Sequence, residues 1–270
     1  TNIMKFSILI NTHNQDKHLN KAIKSCLDQS FRNYEVIICD TSDKKQYIKN
    51  NKFFSKKNIH YFHLPSKYKQ AEQNQMAKIQ IGFKKSKGDF ICLMDGDDYF
   101  SKNKLYFLDK LINKKKIFFN QDNPMLVEKN FTISKKIKKK RYKLNYLFKQ
   151  FINDWPQIYG TSSILVRRKI LKTFFKKAKP FNWKYLAIDA QLSIFCKINY
   201  DISSDLKHLT KKNIHNNNLG SQYLSIFNKK FWIRRYMQHN YYSFIKKKQT
   251  LTFDFILTAI SYYFLKICKI

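Results

Sequence analysis

The chain has 270 residues, 43% of them hydrophobic and 16% aromatic, which is enough apolar matter for one large domain with a real core and excludes wholesale disorder. Its 53 Lys and Arg against 18 Asp and Glu give a formal net charge of +35, a balance that favours polyanions or anionic membrane surfaces. Of those basic residues 47 are Lys and 6 are Arg. A side chain that acts as a point charge on a solvated face does not make the bidentate forks of base readout, so specific nucleic-acid binding is not expected.

The five cysteines, Cys26, Cys39, Cys92, Cys196 and Cys268, are odd in number, far apart and without a C-x-x-C pair. That pattern fits a reduced, cytosolic protein and neither a zinc site nor a disulfide framework. Residues 6–10 enter a strand-like run at once, without the longer apolar stretch of a secretory signal.

In chain order, Phe6 to Ile10 reads as a buried strand, followed by the polar loop Asn11-Thr12-His13-Asn14. A helix follows, with Leu19, Ala22, Ile23, Cys26 and Leu27 at helical spacing. Tyr34 to Cys39 is a second strand ending at Asp40, and Ile59 to Leu64 a third. Met76, Ile79 and Phe83 mark a helix that stops at Lys87-Gly88, where Gly88 is expected to cap it. Asp89 to Met94 is a fourth strand, ending in Asp95-Gly96-Asp97-Asp98 before a helix over residues 102–111. Alternating strands and helices predict an α/β domain with a mostly parallel sheet, whose ligands sit beyond the carboxyl ends of the strands. Thr12, Asp40 and Asp95 to Asp98 all fall there.

Neither G-x-G-x-x-G nor G-x-x-x-x-G-K-[ST] occurs, so a nucleotide would be held through a carboxylate-bound metal and not through a glycine nest. The Asp95 to Asp98 cluster carries that expectation, because crowded carboxylates at a strand end are relieved by a divalent cation. Gly96 is expected to let the backbone turn there. The alternative is an acidic cap on the next helix.

The second half begins with a basic block over Ser134 to Lys143 that reads as a solvated loop, then a helix from Tyr142 to Asn153. A strand over Ile158 to Val166 and a helix marked by Ile188, Leu192, Phe195 and Cys196 follow. Residues 221–270 change character: dense in aromatics, with nine basic residues and the single acid Asp254, they read as a helical extension. Two readings stay open for it, a helix on the interface of an anionic bilayer and an ordinary helix packed on the core. Residues 255–265 are its longest uncharged run, too short to span a bilayer.

Three blocks carry a resemblance to a known family. Ser7-Ile8-Leu9-Ile10-Asn11-Thr12-His13-Asn14, Ser25 through Glu35-Val36-Ile37-Ile38-Cys39-Asp40, and Lys87 through Asp95-Gly96-Asp97-Asp98 occur in the order of family 2 glycosyltransferases. These are inverting enzymes of the GT-A fold, a Rossmann-like, mostly parallel sheet flanked by helices. The resemblance covers about residues 5–220. It implies a GT-A domain over residues 1–220 followed by the extension.

By the same resemblance Thr12 and Asn14 line the nucleotide loop, Asp40 meets the base, Asp95 lies near the ribose and Asp97 ligates Mn²⁺ or Mg²⁺. Gln80 stands where the family often has Asn. Ala187-Ile188-Asp189-Ala190-Gln191-Leu192 resembles the family's E-D-x-x-L segment, whose Asp is the catalytic base, with Ile188 in place of the Glu. His215, within Asn213-Ile214-His215-Asn216-Asn217-Asn218, corresponds to a His that reaches the metal or diphosphate. Trp155 falls on the acceptor side, where it or Trp183 could stack on a sugar.

The implied partners are a nucleotide-sugar donor, with a uridine nucleotide as default, and a glycan or lipid-linked acceptor in cell-envelope polysaccharide synthesis. The implied location is the cytoplasm, peripheral on the inner face of the membrane. A non-catalytic membrane- or polyanion-binding scaffold and a metal-dependent nucleotidyltransferase are the competing readings.

Overall fold

A computed structural model describes residues 5–44, 59–128, 131–133 (backbone only), 153–205, 207–215, 220, 223 and 225–267. The basic block over Ser134 to Lys143, most of the helix expected from Tyr142, the residues Asn216 to Asn218, and Cys268 lie outside the described residues.

The strand runs read from the sequence become β1 (Phe6–Thr12), β2 (Tyr34–Asp40), β3 (Ile59–His63) and β4 (Phe90–Asp95). All seven residues of β1 and of β2 are buried, as strands covered by helices on both faces must be. Their side chains alternate between two cores. Phe6, Ile8 and Ile10 pack on α1 (Asp16–Leu27) and α3 (Lys104–Lys114), whereas Leu9, Ile37, Ile91 and Leu93 pack on α2 (Ala71–Lys85), α4 (Arg168–Lys177) and α5 (Ile188–Asn199).

The chain then adds β5 (Tyr99–Phe100), β6 (Phe119–Asp122), β7 (Met125–Glu128), β8 (Phe131–Ile133), β9 (Ile164–Arg167), β10 (Ile202–Asp205) and β11 (Thr210–Ile214). The main sheet has seven strands in the order β10-β6-β9-β4-β1-β2-β3. Only β9 runs antiparallel to its neighbours β4 and β6, so the sheet is mostly parallel, as expected. A second sheet, β5-β11-β7-β8, lies at the end of the first where β4 and β6 finish. The strand expected over residues 158–166 is narrower than its apolar run, because residues 161–163 form a 3₁₀ turn before β9.

One glycine expectation, the cap at Gly88, is corrected, and the turn at Gly96 is found for a steric reason. Helix α2 ends at Lys85 with Ser86 as its C-cap, and Gly88 is needed for space: a Cβ there would stand 2.5 Å from the Phe6 carbonyl carbon and 2.6 Å from the Ser7 nitrogen. Gly96 likewise does not occupy the left-handed region; its Cβ would meet Thr12 Oγ1 and Gln15 Oε1, each at 2.7 Å. The turn after β4 is thus pressed against the loop after β1.

The extension consists of α6 (Lys229–Lys246) and α7 (Phe253–Ile267). Helix α6 joins the core: Tyr241 is buried, its hydroxyl donates to Gln191 O at 2.9 Å, and its ring meets Trp183 edge-on. Helix α7 packs on α6 through a Tyr236–Tyr262 stack at 4.4 Å. Among the described residues no helix is long and apolar enough to cross a membrane.

One buried ion pair ties the two sheets together. Lys104, at the start of α3, has no exposed surface, and its Nζ donates to Asp122 Oδ1 at 2.8 Å, Ser162 O at 2.8 Å and Thr210 Oγ1 at 2.6 Å. Its fourth neighbour is the Phe100 ring, 4.0 Å from the ammonium. Deleting one partner would leave a buried charge uncompensated. Lys104→Met should therefore lower unfolding free energy by about 3–5 kcal/mol, and Lys104→Met with Asp122→Leu should cost less than the sum of the single changes. Urea unfolding of the four proteins measures this directly.

Candidate active site

The register of the parallel strands aligns the polar residues that end them. Asn11 pairs with Asp95 across β1 and β4, and Thr12 pairs with Asp40 across β1 and β2, so three strand ends form one rim. The loops on this rim are knitted by side chains. Asn14 takes a left-handed conformation (φ 51°), where Asn is tolerated better than most residues, and its N–H donates to Ser42 Oγ at 2.8 Å. The Ser42 hydroxyl donates onward to Asp40 Oδ1 at 2.5 Å, and the Tyr61 hydroxyl donates to Asp40 Oδ2 at 2.5 Å. Asp40 is fully buried and holds the loops after β1 and β2 together, while Asn14 is exposed at the loop tip.

Behind this rim lies Lys78 of α2, whose importance the sequence did not signal because it is one lysine among many. Its Nζ donates to Thr12 O at 2.8 Å and Thr41 Oγ1 at 3.3 Å. Burial lowers its pKa to about 8, against the pull of Asp40 and Asp95, which favour the charged form. Gln75, also on α2, donates to Asp95 Oδ1 at 2.8 Å, alongside Asn11 Nδ2 at 2.8 Å. Gln80, the residue expected from the pattern, is half-buried and lies five residues on from Gln75, about 140° around the helix. The polar contact that α2 makes with Asp95 comes from Gln75.

The three carboxylates after β4 have separate surroundings. Asp95 receives the two amide donors, and its own N–H donates to Ser162 Oγ at 2.9 Å. Asp98 is a structural partner: its Oδ2 accepts from the Ser162 hydroxyl at 2.6 Å and its Oδ1 from the Asn213 N–H at 2.9 Å, which fixes β11 against the turn. Asp97 faces His215, with Oδ2 to Nε2 at 2.9 Å, and the His215 ring lies parallel to His18 of α1 at 5.3 Å. The structure therefore joins Asp97 and His215, 118 residues apart in the chain, as the pair expected to hold a metal.

The electrostatics of this turn are strained towards negative charge. Burial and the neighbouring Asp97 push Asp95 up to about 6, and burial with Asp97 and Asp95 pushes Asp98 well above the usual carboxylate range. The Asp97 hydrogen bond raises His215 above its ordinary value. Lys212 on β11 offsets part of the charge, lowering both Asp95 and Asp98. Gly160 makes room for it: at φ 105° it is in a region that favours glycine, and a Cβ there would stand 2.9 Å from the Lys212 Nζ.

A divalent cation fits the chemistry of this donor set, a carboxylate and an imidazole beside two further carboxyls, and the imidazole suits Mn²⁺ better than Mg²⁺. Among the described residues no group of three or more His, Cys, Asp and Glu side chains forms a complete cage. The remaining positions would belong to substrate phosphates and water, as is usual for ions bound through one or two carboxylates.

Asp189 sits in the first turn of α5, half-exposed, where its Oδ1 accepts its neighbour's N–H from Ala190 at 2.7 Å and the helix dipole favours its negative charge. The turn before α5 is linked to the rim through α2. Gln191 donates to Pro180 O at 3.2 Å and Gln73 donates to Phe181 O at 2.8 Å, two residues from the Gln75 that holds Asp95. Ile188, where the resembled motif has Glu, is fully buried in the core, which accounts for an apolar residue there. Trp155 is placed in the junction of the extension: its indole N–H donates to Asp254 Oδ2 at 3.4 Å and its ring meets His239 and Tyr242 edge-on. Trp183 donates to Ala178 O at 3.1 Å and packs on Tyr241 and Phe244. The ring contacts of both indoles are packing contacts with the extension.

The glycosyl transferase family 2 profile matches residues 7–175. An uncharacterized glycosyltransferase of Haemophilus influenzae is 35% identical over 106 residues, 38% of this chain and 40% of that protein. The UDP-Glc:alpha-D-GlcNAc-diphosphoundecaprenol beta-1,3-glucosyltransferase WfaP of Escherichia coli is 29% identical over 134 residues, 47% of this chain and 49% of that protein. The chain thus spans less than half the length of these two relatives. A crystal structure of Staphylococcus aureus TarS 1-349 in complex with UDP-GlcNAc shares the fold, with a TM-score of 0.64 at 17% identity, covering 96% of this chain and 73% of that one. The sheet described above is accordingly that of the GT-A glycosyltransferases.

The raised value of Asp95 has a measurable consequence. Its folded value lies above the unfolded value near 4, so the folded state holds the proton more tightly. That stabilisation is present in full at lower pH and is lost as pH rises through about 6. Asp95→Asn keeps an oxygen for the Asn11 and Gln75 donors and removes the charge. With a chelator present, it should raise the melting temperature by several degrees at pH 7.5 and by much less at pH 4, in thermal scans of both proteins.

Proposed function

Since the chain belongs to glycosyl transferase family 2, we propose that it moves a sugar, with inversion, from a nucleoside-diphosphate sugar to a hydroxyl of a glycan or lipid-linked acceptor. The observation that carries this reading is the single rim on which register and loop contacts assemble Thr12, Asn14, Asp40, Asp95, Asp97 and His215. A UDP-sugar is the proposed donor, supported by the UDP-GlcNAc carried by TarS on the same fold and by the UDP-Glc named for WfaP. An acceptor in envelope polysaccharide synthesis is supported by the diphosphoundecaprenol-linked sugar in that relative's name.

In this reading the nucleoside lies over the β1 and β2 loops, with Asp40 and its tethered loop on the base side, Thr12 and Asn14 lining the loop, and Asp95 on the ribose side. Gln75 and Lys78 act behind them as positioning residues, because each holds a wall of the rim by a direct hydrogen bond. Asp97 and His215 would hold Mn²⁺ or Mg²⁺, which when bound would neutralise the diphosphate that departs. Lys212 adds a fixed positive charge on the same side.

Asp189 is the proposed base. An acceptor hydroxyl is a weak nucleophile; as its oxygen bonds to the anomeric carbon, Asp189 takes its proton, and the bond from that carbon to the diphosphate breaks with its electron pair leaving on the nucleoside diphosphate. Attack from the face opposite the leaving group inverts the configuration. The carboxylate is half-exposed in the first turn of α5, which leaves it reachable from solvent. In this reading the enzyme works at the cytoplasmic face of the membrane as a peripheral protein, supported by the diphosphoundecaprenol-linked substrate named for WfaP.

Asp189→Asn should lower transfer by about 10²- to 10⁴-fold while leaving affinity for the nucleoside diphosphate within about twofold. Paired rate and calorimetric measurements check it. Wild-type turnover by this variant would remove Asp189 from the role, and release of pyrophosphate in place of a nucleoside diphosphate would identify a nucleotidyltransferase.

A further inference from the structure

Helix α7 is apolar on the wrong side for a helix that ends its packing at α6. Its inner face is spent on α6: Tyr262 stacks on Tyr236, Thr258 meets His239 at 3.5 Å, and Asp254 pairs with Arg235. The opposite face carries Phe253, Ile256, Leu257, Ile260, Phe264 and Ile267, each between 47% and 79% exposed. Their spacing of three and four residues places them in one stripe along the helix. A contiguous exposed patch of this kind marks an interaction surface, whereas scattered exposed apolar residues need no explanation.

The charge around the stripe identifies what covers it. Lys246, Lys247 and Lys248, all exposed, end α6 and lead through Leu251, 67% exposed, into the first turn of α7. Lys266 is exposed at the far end of the stripe. Beside it a cavity of about 120 Å³ opens between α6 and α7, floored by Trp232 and Leu265 and bordered by Lys229 and Lys266. Asp254, the single acid of residues 221–270, is turned inward onto Arg235. An apolar strip with lysines at both ends and no exposed acid among residues 225–267 matches an anionic interface with an apolar interior.

We infer that the outer face of α7 docks on an anionic lipid bilayer, with the stripe in the acyl boundary and Lys246, Lys247, Lys248 and Lys266 among the headgroups. A second copy of the chain fits less well, since it would bring two bodies of net charge +35 together with their lysine clusters apposed. A nucleic acid offers the negative charge and nothing for the stripe. At 15 residues α7 is about 22 Å long, so it lies in the interface plane and does not cross. This inference deepens the peripheral placement proposed above and does not depend on the sugar-transfer chemistry.

The test is co-sedimentation of the full chain with vesicles of phosphatidylcholine alone and with about 30% phosphatidylglycerol, at low and moderate salt. Wild type should bind the anionic vesicles at least tenfold more tightly than the neutral ones. Ile260→Asp with Phe264→Asp should lose at least tenfold of that binding with an unchanged melting temperature, since both side chains face solvent. Ile256→Ser with Phe264→Ser provides the milder pair if the charged one fails to fold. Replacing Lys246, Lys247 and Lys248 by Gln should weaken binding about fivefold per lysine at low salt. Failure of the wild type to bind anionic vesicles would overturn the inference. So would binding that the stripe variants leave unchanged, or a dimer in sedimentation velocity that they dissolve. Loss of nucleotide binding alone, with vesicle binding intact, would overturn only the sugar-transfer reading.

Discussion

The rim depends on one buried cation beneath it. Lys104 leaves α3, passes under the turn after β4 and ends among Asp122 of β6, the Ser162 carbonyl and Thr210 of β11. Those three elements carry the groups that hold the site from below. The Ser162 hydroxyl binds Asp98 and accepts the Asp95 N–H, while the strand that begins with Thr210 supplies Lys212 and Asn213 and leads directly into His215. A buried pair of this sort adds little net stability compared with apolar packing, yet it accepts only one arrangement of its partners. Here it sets how the second sheet meets the first.

Above that support the site concentrates negative charge beyond what its own residues relieve. Asp95 and Asp98 are both shifted towards the protonated form, His215 is drawn towards the charged form by Asp97, and Lys212 compensates only partly. In the proposed reading that surplus would be offset by a bound cation and the phosphates it carries. The chain as a whole has a formal net charge of +35, so this acidic turn is a local exception in a basic protein.

The succession of the first four strands, the helices packed on them and the gathering of polar residues at one rim were legible in the sequence, because each strand is mostly apolar and each ends in a polar residue. The resemblance implied that Asp97 and His215 act together, and the structure brings the two side chains within 2.9 Å of each other. What the sequence concealed is what depends on tertiary approach. Lys78, Lys104 and Lys212 are three of 47 lysines, and nothing local distinguishes the buried Lys78 and Lys104 or the site-facing Lys212 from the rest. The short strands β5, β6, β10 and β11 pair over long sequence separations and have no period of their own. Gly88 and Gly96 stood out as turn residues, yet it is the closeness of neighbouring backbone and side chains that requires them. Trp155, placed on the acceptor side by position in the chain, is engaged by Asp254, His239 and Tyr242, residues about 85 to 100 positions away. Of the two alternatives for the extension, packing on the core is realised by α6, while α7 packs on α6 alone and leaves its outer face exposed.

The central claim is a nucleoside-diphosphate site completed by a metal at Asp97. Its most direct measurement is calorimetric titration of the chain with UDP, GDP, dTDP and CMP, each with and without Mn²⁺, repeated on Asp97→Ala. The account predicts Mn²⁺-dependent binding of one diphosphate, UDP first, and its loss by more than about tenfold in the variant, in keeping with removal of a metal ligand. Binding of none of the four, or binding indifferent both to Mn²⁺ and to Asp97, would contradict it.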